Sequence, residues 1–165
     1  MTNVRIMLVD DHEVVRTGLK TYLDTQDGME VVAEAENGEG AIEIAQTIHP
    51  EVIVMDISMN GMDGLEATRR LSAICPESKV LTLTIHEDKQ FFFEMLAAGA
   101  VGYLTKQVAA EELVTAIRAV ADGNVYIQPA HAEWLLEEYK RLLQAVQCNP
   151  EIPIQRVQLK MDCGF

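Results

Sequence analysis

Residues 6–16 read IMLVDDHEVVR. Four apolar residues run straight into two adjacent acids, Asp10 and Asp11, and a helical pattern begins at once. A short, continuously apolar run that ends in a change of pattern is what a strand buried on both faces looks like. A pair of like charges at its carboxyl end needs a physical reason.

The same alternation runs along most of the chain. VRIMLV (4–9), MEVVAEA (29–35), VIVM (52–55), KVLTLT (79–84) and VGYL (101–104) are short and rich in Val, Ile and Leu. Between them lie helical stretches such as HEVVRTGLKTYLDT, GEGAIEIAQTIH, GLEATRRLSAI, DKQFFFEMLAAG and AAEELVTAIRAVADG, with glycine or proline at the joins. Strand–helix pairs in this number predict an α/β fold, a flavodoxin-like (βα)5 doubly wound parallel sheet. Strand order does not follow from the pattern; the flavodoxin-like order 2-1-3-4-5 is one of two common choices for doubly wound sheets, and it suits five strands. This domain is expected over residues 1–128. An extra C-terminal helix is expected over 129–148, where Ala132, Leu135, Tyr139, Leu142 and Val146 form a stripe at steps of three and four. That is under three heptads, so the stripe predicts packing on the domain or a neighbour rather than a coiled coil. Residues 149–165 have prolines and no core of their own, and are expected to be a flexible tail.

The net charge is −13. A surface this acidic repels nucleic-acid phosphates and suits a basic partner or a bound cation. No apolar run approaches the roughly 18–20 residues of a membrane helix, and the expected setting is the cytoplasm. Cys75, Cys148 and Cys163 have no CxxC spacing, so neither a disulfide framework nor a zinc site is implied.

In open α/β sheets ligands bind at the carboxyl ends of the strands. Asp10 and Asp11 end the first strand and Asp56 ends the third, its neighbour in the expected order. At about 5 Å and an effective dielectric near 20, each ionised pair repels by roughly 3 kcal/mol. A cation relieves that, and an all-oxygen carboxylate site suits magnesium. Thr84 ends the fourth strand and Lys106 follows the fifth. Carboxylates, a metal, a hydroxyl and an ammonium together form a phosphoryl-binding edge, with Asp56 the candidate nucleophile for an aspartyl phosphate. Each residue alone has a plainer reading: Asp11 as a helix cap, Thr84 as ordinary strand composition, Lys106 as a solvated charge. Their joint placement at successive strand ends is what points to chemistry.

The motifs VDDH, MDISMNGMDGLEATRRL, LTLTIHED and GAVGYLTK resemble the receiver domain of two-component response regulators over residues 4–128. The third-strand motif and AAEELVTAIRAVADGNVYIQP look most like the NarL/FixJ class, the LuxR-type transcriptional regulators. The resemblance implies that a histidine kinase donates a phosphoryl group to Asp56. It implies that Asp11 and Asp56 bind magnesium, with the Ser58 backbone carbonyl, and that Asp10 acts partly through water. Lys106 would pair with the phosphate, Thr84 would move toward it, and Tyr103 would be the aromatic switch. Side chains at Ser58 and His86 would tune the attack of water on the phosphoryl group.

Two positions depart from the family pattern. Asn60 stands where proline is usual, which frees the loop after Asp56, and Gln107 stands where many receivers have proline. The LuxR-type class also carries a helix-turn-helix domain, and no recognition helix can be drawn after Cys148. DNA contact is therefore expected only through a domain absent from this chain. Phe91, Phe92 and Phe93 span about 200° of a helix, so at least one lies near the surface, either partly covered or in an interface such as a homodimer. His12 is expected to line the metal pocket without binding; His49 and His131 carry no assigned role. Two other function classes compete with the phosphoacceptor switch: a magnesium-dependent phosphohydrolase and a phosphate-independent interaction module. The hydrolase class usually has DxD after the first strand and a cap domain, whereas here the acids are adjacent.

Overall fold

The computed structural model describes residues 3–148, so the expected flexible tail at 149–165 lies outside the described residues. Residues up to Ile127 form one unit and those from Gln128 onward a second.

The first unit is a parallel sheet wrapped by helices. Its elements are β1 (Val4–Val9), α1 (Glu13–Asp24), β2 (Met29–Ala35), α2 (Gly38–Ile48), β3 (Val52–Met55) and α3 (Gly64–Ile74). They continue with β4 (Lys79–Thr84), α4 (Lys89–Ala98), β5 (Gly102–Thr105), α5 (Ala110–Ala121) and β6 (Tyr126–Ile127). The sheet order is β2-β1-β3-β4-β5-β6. The five expected strands are in the expected order, and β6 is an addition. It is only two residues long and pairs Tyr126 with Gly102 and Ile127 with Tyr103, too short for a periodic signal. The fifth strand also begins one residue later than the apolar run suggests.

Side-chain alternation assigns the two faces of the sheet. Ile6 and Leu8, Val52 and Val54, Leu81 and Leu83, and Leu104 join Leu113, Ile117 and Val120 of α5 in one buried cluster, with Leu19 of α1 packed against it. The intervening residues Met7, Ile53, Val80 and Tyr103 belong to the opposite face and are buried there too. On that side α2 packs on α3 and α3 on α4. Coverage on both faces explains why the central strands are apolar throughout. β2 lies at the sheet edge and accordingly carries Glu30 and Glu34.

Capping fixes where three of the helices start. Asn37, Asp63 and Asp88 accept backbone N–H bonds from Gly40, Glu66 and Gln90 at 2.7, 2.9 and 2.7 Å. Asp11 has no such task, because His12 holds the N-cap position of α1 and makes no capping bond with its side chain. The plainer reading of Asp11 as a cap is therefore not what the structure shows. No peptide bond among the described residues is cis, including Lys106–Gln107.

The second unit contains α6 (Pro129–Cys148). The expected helix is present, but the stripe is set differently. Ala132 and Tyr139 are exposed, whereas His131 and Val146 are buried and Leu135, Glu138 and Leu142 half-buried. Choosing positions by hydrophobicity alone put two of the five on the open side.

Gly64 opens α3 under the carboxyl end of β3, and its N–H donates to the Ile57 carbonyl at 2.8 Å. A Cβ there would stand 1.8 Å from the Asp56 carbonyl oxygen. Gly64→Ala is expected to cost at least about 2 kcal/mol, the upper range for overpacking a tight contact. Urea unfolding of the two proteins measures it.

Candidate phosphoryl-transfer site

The strand register brings the acids together. Val9 of β1 pairs with Met55 of β3, so the next residues, Asp10 and Asp56, leave the sheet side by side. Backbone bonds hold both: Asp56 N–H donates to the Val9 carbonyl at 3.0 Å and Asp10 N–H to the Ala35 carbonyl at 3.1 Å. Across β4 and β5, Thr84 pairs with Thr105, and the Lys106 N–H donates to the Thr84 carbonyl at 2.8 Å. The predicted residues of four strands thus meet on one edge.

Asp10, Asp11, His12 and Asp56 each offer a ligand atom, all within 4.8 Å of one another. Lys106 reaches into this cluster, its Nζ donating to Asp10 Oδ2 at 2.6 Å and to Asp56 Oδ2 at 3.2 Å. Asp10 and Asp56 are both buried, and their pKa values move apart. Burial pushes Asp10 up, but the Lys106 hydrogen bond, the His12 N–H and the nearby ammonium outweigh it and hold Asp10 below the usual carboxylate value. Burial also pushes Asp56 up, the Asp10 charge adds to it, and Lys106 only partly compensates, so Asp56 lies above the usual value. Lys106 is lowered by burial but raised overall by its bond to Asp10 and by both carboxylate charges. Two neighbouring acids with opposite shifts mark a site rather than a surface cluster.

The donor set suits a hard divalent cation. Buried carboxylate oxygens normally have partners, yet Asp56 Oδ1 is buried without a hydrogen bond, and Asp11 Oδ1 makes none beyond its 3.1 Å contact with His12 Nδ1. His12, whose side chain is 65% exposed, turns its Nδ1 to Asp10 Oδ1 at 3.0 Å and Asp11 Oδ1 at 3.1 Å. Its position agrees with a residue lining the cluster.

A second group of side chains surrounds the β4 end. The Thr84 hydroxyl is buried and accepts from the His86 N–H at 3.2 Å. Tyr103 is fully buried in the inward position, and its hydroxyl donates to the His86 carbonyl at 2.7 Å. Burial, with the Asp88 and Glu87 charges, pushes the phenol up to about 12. The Tyr103 ring meets Phe92 edge-on at 5.2 Å, and the His86 ring lies 5.2 Å from Phe91. Phe92 is buried while Phe91 and Phe93 are half-covered, as three consecutive helical aromatics require. His86 Nε2 and Ser58 Oγ form a hydrogen bond of 2.5 Å, joining the β4–α4 and β3–α3 loops.

Two residues at this edge carried no signal in the sequence. Arg16 of α1 donates from Nη1 to the Asp10 carbonyl at 2.5 Å. Glu39 of α2 accepts from Met62 N–H at 3.1 Å, next to the Gly38 N–H bond to the Met62 carbonyl at 3.1 Å. Glu39 thereby secures the loop that contains Asn60. Both act on backbone groups, which pattern reading cannot see.

Fold and site together define a signalling receiver, and the chain belongs to the response regulator receiver domain family, whose model matches residues 6–118. It is 40% identical over 158 residues to the Transcriptional regulatory protein DegU of Brevibacillus brevis, covering 95% of this chain and 67% of that protein. It is 44% identical over 133 residues to the Response regulator GacA of Pseudomonas protegens, covering 81% of this chain and 62% of that protein. The crystal structure of a LuxR-family two-component response regulator from Aurantimonas sp. matches with a TM-score of 0.78 and 36% identity, over 84% of this chain and 99% of that one. These similarities agree with the NarL/FixJ, LuxR-type character of the motifs. The chain spans 62% to 67% of the length of the two curated relatives. Receiver domains are phosphoacceptors that interact with histidine kinases and bind magnesium at an acidic pocket, and an aspartate cluster able to hold a metal is present here. Among the described residues no helix is long and apolar enough to cross a membrane.

The opposite shifts give a pH signature for the metal-free chain. Asp56 is raised, so its ionised form destabilises the fold at neutral pH, and that loss disappears as pH falls through its raised value toward 3.8. Asp10 is lowered, so its contribution is present above 3.8 and fades as pH falls through its own value. Asp56→Asn is expected to stabilise the metal-free protein at pH 7 by on the order of 1 kcal/mol. The gain should shrink toward pH 4 as wild-type Asp56 becomes neutral. Urea midpoints in chelator across pH test this, and an Asp56→Asn protein less stable at pH 7 would refute it.

Proposed function

We propose that this chain is a magnesium-dependent phosphoacceptor switch, with Asp56 taking a phosphoryl group from the phosphohistidine of a histidine kinase. One observation carries the reading. A buried Asp56 oxygen without a hydrogen bond lies in the Asp10–Asp11–Asp56 cluster, beside a lysine that bridges Asp10 and Asp56. Asp11, Asp56 and the Ser58 carbonyl would hold the cation, with Asp10 acting through water. Magnesium, when bound, supplies charge neutralisation for the phosphoryl oxygens.

In the transfer, a carboxylate oxygen of Asp56 attacks phosphorus as the phosphorus–nitrogen bond breaks. The bonding pair stays on the imidazole nitrogen, and the product is an aspartyl phosphate. Lys106 exchanges a carboxylate oxygen for a phosphoryl oxygen, retaining a charge-assisted hydrogen bond. The Thr84 hydroxyl donates to another phosphoryl oxygen and pulls on the His86 backbone, which also receives the Tyr103 hydroxyl. The change then reaches Phe91 and the face built from α4, β5 and α5, where a homodimer could form.

The domain is an acceptor that assists its own phosphorylation and dephosphorylation rather than a turnover enzyme. Its setting is the cytoplasm. Its output is transcription through a DNA-binding domain outside this chain, which the names of the relatives support. The hydrogen bond between Ser58 and His86 lies beside Asp56 in the chain path and is assigned a role in limiting water attack.

Incubation with a small phosphodonor and magnesium is expected to add one phosphoryl group on Asp56 by intact mass and peptide mapping. Asp56→Asn should remove that label, and Lys106→Ala should slow labelling by roughly a hundredfold, the scale for loss of one electrostatic stabiliser. His86→Ala should leave the label on Asp56 but shorten its lifetime. Turnover of many donors would instead indicate a phosphohydrolase, and no label at all an interaction module.

A further inference from the structure

Arg16 sits on the α1 side of the acid edge with its side chain only 14% exposed. Its Nη1 donates to the carbonyl of Asp10 at 2.5 Å, and its Nε lies 3.4 Å from Glu34 Oε1 on β2. It also lines, with Asp10 and Asp56, a cavity of 10 Å³ directly under the acids. One guanidinium therefore ties together α1, the turn that follows β1, and the edge strand β2. The turn has few other restraints. It contains neither glycine nor proline, and no side-chain cap closes the start of α1. Its other holds are the Asp10 N–H bond to the Ala35 carbonyl at 3.1 Å, the Lys106 bond to Asp10 Oδ2 at 2.6 Å and Asp10 Oδ1, which accepts from the His12 N–H at 2.8 Å.

We infer that Arg16 is a positioning residue for the cation site, fixing the main chain at Asp10 so that the Asp10 and Asp11 carboxylates are aimed at a common point. The inference rests on the proposed reading that these acids hold magnesium. A bond to the Asp10 carbonyl fixes the turn without engaging a carboxylate oxygen of the pair. Outer partners of this kind orient ligands, and their loss typically weakens metal binding by a factor of 10 or more.

The sign of the effect separates positioning from plain electrostatics. Arg16 is a cation near a cation site, so by charge alone its removal should tighten magnesium binding. By positioning, its removal should weaken it. The experiment is a magnesium chloride titration of the 165-residue chain, followed by backbone amide chemical shifts at the acid edge. Arg16→Gln is expected to raise the magnesium Kd roughly tenfold. Arg16→Lys should raise it less, because an ammonium still donates to one carbonyl. Glu34→Gln should also raise it less than Arg16→Gln, since it only frees one side of the guanidinium. Val120→Ala, in the fully buried part of α5, lowers stability and should leave Kd unchanged.

An unchanged or tighter Kd in Arg16→Gln, or equal weakening in Val120→Ala, overturns the inference. If Arg16→Gln does not fold, Arg16→Lys and Glu34→Gln decide it, and wild-type affinity in both overturns it. Acid-edge amides of the wild-type chain that ignore magnesium would overturn the cation reading itself, and this inference with it.

Discussion

Crowding carboxylates at one end of a parallel sheet is unfavourable, and the rest of the site answers that repulsion. The backbone forces the crowding. Once β1 and β3 pair in register, Asp10 and Asp56 must leave the sheet next to each other. Lys106 supplies the compensation from the far side of β4, bridging the two acids. It does not distribute it evenly: Asp10 ends below the ordinary carboxylate value and Asp56 above it. The less comfortable of the two acids is the one proposed to react. A cation held between these acids would offset the repulsion present in the resting fold.

The loops above the sheet are held by few and specific contacts. Gly64 brings α3 close under the Asp56 carbonyl, so Asp56 cannot shift without moving a helix. Glu39 and Gly38 at the start of α2 grip both the N–H and the carbonyl of Met62. This grip pins the loop between Asp56 and α3 at both sides of one peptide residue. Arg16 does the corresponding work on the β1 side. Three helices thus brace the acid edge through main-chain atoms.

Much of this was legible in the sequence because it depends on periodicity and on strand ends. Four of the five expected strands match the observed bounds, and Asp10, Asp11, Asp56, Thr84 and Lys106 were singled out from their place after apolar runs. What escaped depends on contacts distant in the chain. Strand β6 has two residues and no period of its own. The covered side of α6 includes His131 and Glu138, which no hydrophobic pattern would select. Arg16 is one charge among others in a helical pattern and Glu39 an acid in a first turn, and periodicity marks neither. The partnership of Ser58 with His86 spans 28 residues, and only the tertiary fold brings the two loops together.

His86 occupies an unusual position in this arrangement. Its N–H meets Thr84, its carbonyl meets Tyr103, and its ring meets Ser58 and Phe91. Two of those links belong to the peptide unit, which nearly every amino acid shares, and two belong to the imidazole alone. Under the proposed function, a side-chain change at this position would alter the lifetime of the label while the main-chain link between the Thr84 hydroxyl and the Tyr103 phenol stays in place. Relay and clock would then share one residue but not the same atoms, so a descendant of this chain could be retimed without being disconnected.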